Sequence, residues 1–289
     1  MTPIAAVNTP EWHAHRSRGL GASEAAAACG LSRWEQPLSL WSRKVYGESV
    51  EANDAMLIGQ ALEPFVAAKW LTNHGLTGTI APGLYRHVEL PWMLASPDVL
   101  VSDGSLLECK TTTSRNADYG DEPPVEVIIQ CQIQLAVMGK TICHVACLER
   151  DTLNWREYTI DRSPLMIERL TKRLGAFWRM VETREPPPVD WSRPDALEAI
   201  RSAYKRVDGE AVDLDPQTEQ HWLQYRELGV TIADLETERE QHKARVLAVM
   251  KTAERGLLPS GGIVRRIPVK GGQVSYMRKD CVQLRGVKQ

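Results

Sequence analysis

Two short strings near the middle of the chain constrain it most: Ser96-Pro97-Asp98 and, after ten residues, Glu108-Cys109-Lys110, together D-x9-E-x-K. Apolar runs flank Ser102-Asp103-Gly104, a turn signal. A three-residue hairpin loop with glycine in the left-handed position pairs Val101 with Ser105 and sets Asp98 opposite Glu108. The strand period of two then puts Lys110 on the face of Glu108 and turns Leu107 and Cys109 into the core. A two-residue loop, Asp103-Gly104, would face Asp98 away, so the motif predicts its own turn.

Two carboxylates and a lysine in that arrangement suit divalent metal over a phosphodiester. Mg²⁺ is a hard cation that takes one or two carboxylates, waters and substrate phosphate. It activates water and stabilises the attacking and leaving oxygens, and a neighbouring lysine can orient that water or offset developing charge. The competing reading is an exposed hairpin whose charges are merely solvated.

The chain has 289 residues, enough to bury a sizeable core. With 43% hydrophobic and 25% charged residues it has the composition of a soluble globular protein. No apolar run approaches transmembrane length and no signal-like segment opens the chain. Cysteines 29, 109, 131, 143, 147 and 281 form no C-x-x-C pair, which argues against zinc and a disulfide framework and for a reducing cytoplasm. Net charge is −2, yet residues 255–289 carry eight Lys and Arg against one Asp, a local +7. That segment suits phosphate tracking, a solvated face or partner docking.

The periodicity predicts a short helix capped by Ser23 and stopped by Gly30, and a helix over residues 56–71 with Pro64 as kink or start. Strands follow over 85–101 and 106–110, a polar loop over 111–124 and a helix over 125–138. Strands over 143–148 and 155–160 and a helix over 164–183 complete an α/β domain with a mixed sheet, residues 1–185. Residues 186–194, opening with Pro186-Pro187-Pro188, read as a linker. The extension, 195–289, is expected to hold a short helix, a long helix over 217–255 and a hairpin of 263–269 with 274–277. Leu235, Val246, Leu247 and Val249 keep no clean heptad, which argues against a long coiled coil.

Five strings in order resemble the phage-type recombination exonucleases of the YqaJ and lambda exonuclease family. Residues 18–26, Arg-Gly-Leu-Gly-Ala-Ser-Glu-Ala-Ala, resemble its opening signature, followed by Cys29-Gly30-Leu31-Ser32. Gly59 to Pro64 resembles its G-x-x-x-E-P helix, residues 96–98 and 107–110 its metal strands, and residues 132–139 its Q-x-Q helix. The chain departs from the family's Pro-Asp-Gly with Pro97-Asp98-Val99.

The resemblance implies a restriction-endonuclease-like, PD-(D/E)xK fold and hydrolysis with Mg²⁺, Mn²⁺ able to substitute and two metals in the site. Asp98, Glu108 and the Cys109 carbonyl would hold metal, Lys110 would position water, Glu63 would support the second metal and Gln132 would sit beside the attacking water. Ser23 with Arg16 or Arg18 would hold a 5′-terminal phosphate, which a hydroxyl, free N–H groups and an arginine suit. Arg115 is a backbone-contact candidate with a solvated loop arginine as its alternative. Residues two apart on a helix point differently, so Gln132 and Gln134 cannot both reach the chemistry. Trp12, Trp41, Trp70, Trp92 and Trp178 read as packing; Trp34 reads as packing or as a stacking surface for a terminal base.

The resemblance further implies linear double-stranded DNA as substrate, a homo-oligomeric ring with a trimer favoured, a single-strand annealing partner, and the cytoplasm of a bacterium carrying a phage or prophage. The alternative is a non-catalytic DNA-end-binding or inhibitor protein on a nuclease fold, against which the intact Asp98, Glu108 and Lys110 argue. Iron–sulfur nucleases need a late cysteine cluster that this chain lacks.

Overall fold

A computed structural model describes residues 2–48, 52–116, 119–205, 209 and 211–267. It divides into two compact units, residues 1–205 and 206–289.

The first unit opens with α1 (Pro10–Ser17), β1 (Leu20–Gly21), a 3-10 turn (Ala22–Glu24) and the one-turn α2 (Ala25–Ala28). Ser23 therefore lies inside the turn and caps no helix. α3 (Pro37–Tyr46) precedes α4 (Asp54–His74), which the Asn53 side chain caps by accepting from Met56 N–H at 3.0 Å. α4 runs straight through Pro64 without starting or ending there. Proline leaves the carbonyl four residues back without its helical donor; Gln60 is exposed, so water can serve that carbonyl.

β2 (Gly78–Ile80), β3 (Tyr85–Arg86), β4 (Met93–Ala95) and β5 (Val99–Val101) are short. The expected continuous strand is broken at residues 87–92 and 96–98, where Pro91 and Pro97 supply no ladder donor. β6 (Leu106–Thr112), α5 (Val125–Met138), β7 (Ile142–Glu149), β8 (Trp155–Asp161) and α6 (Pro164–Thr183) complete the layer structure. The main sheet has the order β2-β5-β6-β7-β8, with β6 and β7 parallel and α5 as their crossover. A smaller sheet has the order β1-β4-β3.

β6 is covered on both faces. Leu107 and Cys109 pack with Val66, Ala67 and Trp70 of α4, whereas Leu106 joins Ile129 and Ile133 of α5. That alternation aims Glu108 at α5. Trp41, Trp70 and Trp178 are buried, as read from the sequence.

The proline-rich stretch is docked on the first unit. Asp190 N–H donates to Gln36 Oε1 at 3.0 Å and Arg193 Nη1 to the Ser32 carbonyl at 2.5 Å. Beyond it, α7 (Ala196–Ala203) buries Ala199 and Ala203 in the core. The division accordingly falls after Lys205.

The second unit holds α8 (Pro216–Met250) and a hairpin of β9 (Arg255–Leu257) with β10 (Ile263–Arg265). Ile263 thus pairs with Leu257. The expected partner strand 274–277 and most of the basic segment lie outside the described residues.

Candidate active site

The turn forms as the motif requires. Val99 pairs with Leu107 and Leu100 with Leu106, the Val101 N–H donates to the Ser105 carbonyl at 3.1 Å, and Gly104 takes φ +92°. One more step in that register sets Asp98 against Glu108. β5 has ended there, and the Asp98 carboxylate replaces its ladder partner by accepting the Cys109 N–H at 2.6 Å. The N–H and C=O of a strand residue point to the same edge, so the Cys109 carbonyl also faces the Asp98 side.

Glu108 is 2% exposed, and both its oxygens are held. Oε1 accepts from Lys110 Nζ and Gln130 Nε2, each at 2.6 Å, and Oε2 accepts from Gln134 Nε2 at 2.6 Å. Lys110 Nζ also donates to Gln130 Oε1 at 3.1 Å. Glu63, on α4, shares a hydrogen bond with Asp98.

These charges perturb one another. Burial, then the negative charges of Glu108 and Glu63, raise Asp98 well above the usual carboxylate range. Burial and the Glu108 charge raise Glu63 as well. Burial pulls Lys110 down, but Glu108 and Asp98 outweigh it and hold the ammonium above its ordinary value.

Among the described residues no group of three or more His, Cys, Asp or Glu side chains encloses a metal by itself. The donor set nonetheless fits a hard divalent cation: two carboxylates, a backbone carbonyl and a third carboxylate behind them are oxygen ligands of the kind Mg²⁺ accepts. The raised Asp98 carboxyl marks negative charge that Lys110 alone does not offset.

Gln132 is not part of this group. Its amide donates to the Asp161 carbonyl at 2.7 Å and accepts the Ser163 N–H at 2.9 Å, tying α5 to the β8–α6 junction. The glutamines at the carboxylate are Gln130 and Gln134, four apart and so on one helix face. That i,i+4 spacing was the available signal.

A second cluster is built on the opening signature. Arg16 Nη2 donates to Ser23 Oγ at 3.2 Å and lies over the Trp12 ring at 4.6 Å. Buried Glu24 holds the group together: it accepts the Gly21 N–H at 2.8 Å and Lys44 Nζ at 2.8 Å, with Arg16 at 3.7 Å and Arg43 at 3.8 Å. Burial opposes that charge, but Lys44 and Arg16 keep the Glu24 carboxyl below its usual value. Gly21 leaves the room; a Cβ there would stand 3.2 Å from Arg16 Nη2. Arg18, by contrast, is exposed at the end of α1, and Arg115 is exposed in the turn after β6, near Asp151. Trp34 is 70% exposed, with the Arg33 guanidinium 4.8 Å from its ring.

One small cleft joins the two clusters, lined by Arg16, Ser23, Ser96, Gln130 and Gln134 among others.

Residues 11–141 match the YqaJ-like viral recombinase domain. Over this segment the chain is similar to that family. The uncharacterized protein YqaJ of Bacillus subtilis is 28% identical over 86% of this chain and 80% of its own length. The chain is also similar to LHK-Exo, an alkaline exonuclease from Laribacter hongkongensis. One structure of it matches at a TM-score of 0.52 with 26% identity, over 68% of this chain and 99% of that one. Another, in complex with dAMP, gives 0.54 and 27% over 61% and 94%. The mixed sheet between helices is the restriction-endonuclease-like fold that the sequence motifs imply.

Proposed function

We propose that this protein is a metal-dependent deoxyribonuclease that degrades linear double-stranded DNA from its 5′ ends, leaving 3′ single strands for annealing in phage-type recombination. The observation that carries this reading is the cleft joining the Arg16–Ser23 pair to Gln130 and Gln134, which hold Glu108. A terminal phosphate on the anion pair would sit next to the carboxylates. That adjacency suits release from a 5′ end better than cutting at internal positions. The similarity to an alkaline exonuclease supports the same chemistry.

Asp98, Glu108 and the Cys109 carbonyl would hold Mg²⁺, or Mn²⁺ in its place, with Glu63 supporting a second ion through water. When bound, such a metal lowers the pKa of water and offsets charge on the phosphate. The chain's own residues do the rest. Lys110 Nζ orients the attacking water and offsets negative charge on the phosphoryl oxygens. Gln130 bridges Lys110 and Glu108 and fixes both. Arg16 and Ser23 place the strand end, so that each step presents the next phosphodiester to the same groups. A ring-shaped homo-oligomer, a trimer by resemblance, a single-strand annealing partner and a bacterial cytoplasm complete the proposal. No helix among the described residues is long and apolar enough to cross a membrane.

The test is digestion of a linear duplex in Mg²⁺, labelled at each 5′ end and internally, beside a covalently closed circle. Release of 5′ label from the linear form only, lost in Lys110→Ala, is the expected result. Cutting of the circle would make the protein an endonuclease. End binding without metal-dependent cutting would favour the non-catalytic alternative.

A further inference from the structure

α8 is 35 residues long, and of its side chains only Met250 is buried. The Asp215 side chain caps it by accepting from Gln217 and Thr218 N–H. Helices draw most of their stability from a packed apolar face, yet among the described residues of the second unit nothing covers the apolar face of this one. Tyr225, Leu228, Ile232, Leu235, Val246 and Val249 are each 44 to 84% exposed. They fall on one stripe at alternating spacings of three and four residues, with Arg239 and His242 filling the two intervening positions. With the helix bounds fixed, the stripe has the a/d spacing that a coiled-coil seam requires.

The flanking charges choose the partner and its direction. Glu236 and Glu238 flank the seam on one side of residues 239–242, and Lys243 and Arg245 on the other. All four are exposed. In an antiparallel pair with Arg239 across from His242 of the other helix, Ile232 meets Val249 and Leu235 meets Val246. Glu236 then faces Lys243 and Glu238 faces Arg245, and two-fold symmetry repeats both pairs. In a parallel, in-register pair Arg239 would lie on Arg239 inside the seam. Only Glu238 with Lys243 would be matched there, leaving Glu236 and Arg245 without complements. The charge pattern is thus self-complementary in one orientation.

We propose that α8 forms an antiparallel two-stranded coiled coil with α8 of a second copy of this chain, centred between residues 240 and 241. This pairing is independent of the nuclease reading and would tie catalytic units together in twos, whatever ring they form.

Disulfide cross-linking of the full chain in a Cys281→Ser background tests it. Ile232→Cys and Val249→Cys chains, one carrying an affinity tag, are co-expressed and oxidised, and each is also oxidised alone. The five cysteines among the described residues are buried and stay as they are. In the antiparallel pair, position 232 lies against 249 of the partner, while like positions are about 25 Å apart, far outside disulfide reach. The expected result is a covalent dimer only between the two different variants. Cross-linking of either variant with itself, or no cross-link in any mixture, overturns the proposal. Adding Glu236→Lys and Glu238→Lys to both chains is expected to bring the mixed dimer down to background. Adding Lys243→Glu and Arg245→Glu as well is expected to restore it. Failure of that rescue, with helix content unchanged by circular dichroism, also overturns the proposal.

Discussion

Glu108 carries a negative charge in a place that is 2% exposed, and its three hydrogen bonds are what permit it. Removing one partner of a buried ion costs more than the pair contributes, because the remaining charge is left unmatched. Gln130→Ala is therefore expected to lower turnover by at least about tenfold, since it takes one partner from Glu108 and one from Lys110. Gln132→Ala separates site from scaffold. Its amide serves two backbone groups and no carboxylate, so unfolding is expected to become about 1–3 kcal/mol easier while the folded fraction keeps its turnover. Thermal melts and single-turnover digestion of both variants check the pair. At the proposed metal site the carboxylates would make metal uptake pH-dependent. Asp98 and Glu63 have folded-state values raised above their unfolded ones. Their contribution to stability is fully present below the ordinary carboxylate range and is lost as pH rises through the raised values. Divalent metal offsets that loss, so the increase in melting temperature on adding Mg²⁺ should grow with pH. Uptake should release protons, measured by titration calorimetry in buffers of different ionisation enthalpy. Asp98→Asn should raise the melting temperature of the metal-free protein at neutral pH and abolish the Mg²⁺ increment.

Elements were legible where local geometry allows one solution. The hairpin of β5 and β6 follows from a loop that needs glycine at φ > 0 and from a strand period that a one-residue slip would invert. Helices α5 and α6 keep their expected bounds because a left-handed residue ends each, Gly139 for one and Arg184 for the other. What was not legible depends on neighbours distant in sequence. Ser23 looks like a helix cap until Arg16, seven residues earlier, claims its hydroxyl. Gln132 sits in the string that resembles a family motif, but helix phase gives the carboxylate to its neighbours two positions away on either side. The proline-rich stretch reads as a spacer because prolines break elements; its docking rests on Gln36 and Ser32, more than 150 residues away. α7 carries the consequence. It buries Ala199 and Ala203 against the first unit, so a chain ending at Lys205 should keep that unit's melting temperature. A chain ending at Glu185 should melt several degrees lower, as expected when about 1–2 kcal/mol is lost from a domain of this size. Equal melting of the two would show that α7 contributes nothing.

At the scale of the molecule, the proposed function turns on how the Arg16–Ser23 pair and the carboxylates are placed about one cleft. Glu24 binds the loop after β1 to α1 and α3 through Arg16, Lys44 and Arg43, while β6 and α5 hold Glu108. The two assemblies meet across one cleft, with Ser23 on one side and Gln130 on the other. Arg16 touches Ser23 and is held by Glu24, so as the proposed anchor it would need no rearrangement to receive an anion. Arg18, exposed at the end of α1, would have to reach in. Linear duplexes bearing a 5′-phosphate or a 5′-hydroxyl separate the two. Wild type should degrade the phosphorylated end faster. A charge-assisted contact with phosphate is worth about 1.5–3 kcal/mol, and each 1.4 kcal/mol is a factor of ten, so the preference should lie between about tenfold and a hundredfold. Arg16→Ala should erase that preference by slowing the phosphorylated substrate to the rate of the hydroxylated one, with Mg²⁺-dependent cutting retained. Arg18→Ala should leave it intact. The reverse pattern would move the anchor to Arg18. Equal rates on both ends in wild type would mean that the cleft selects by the geometry of the duplex end and not by its charge.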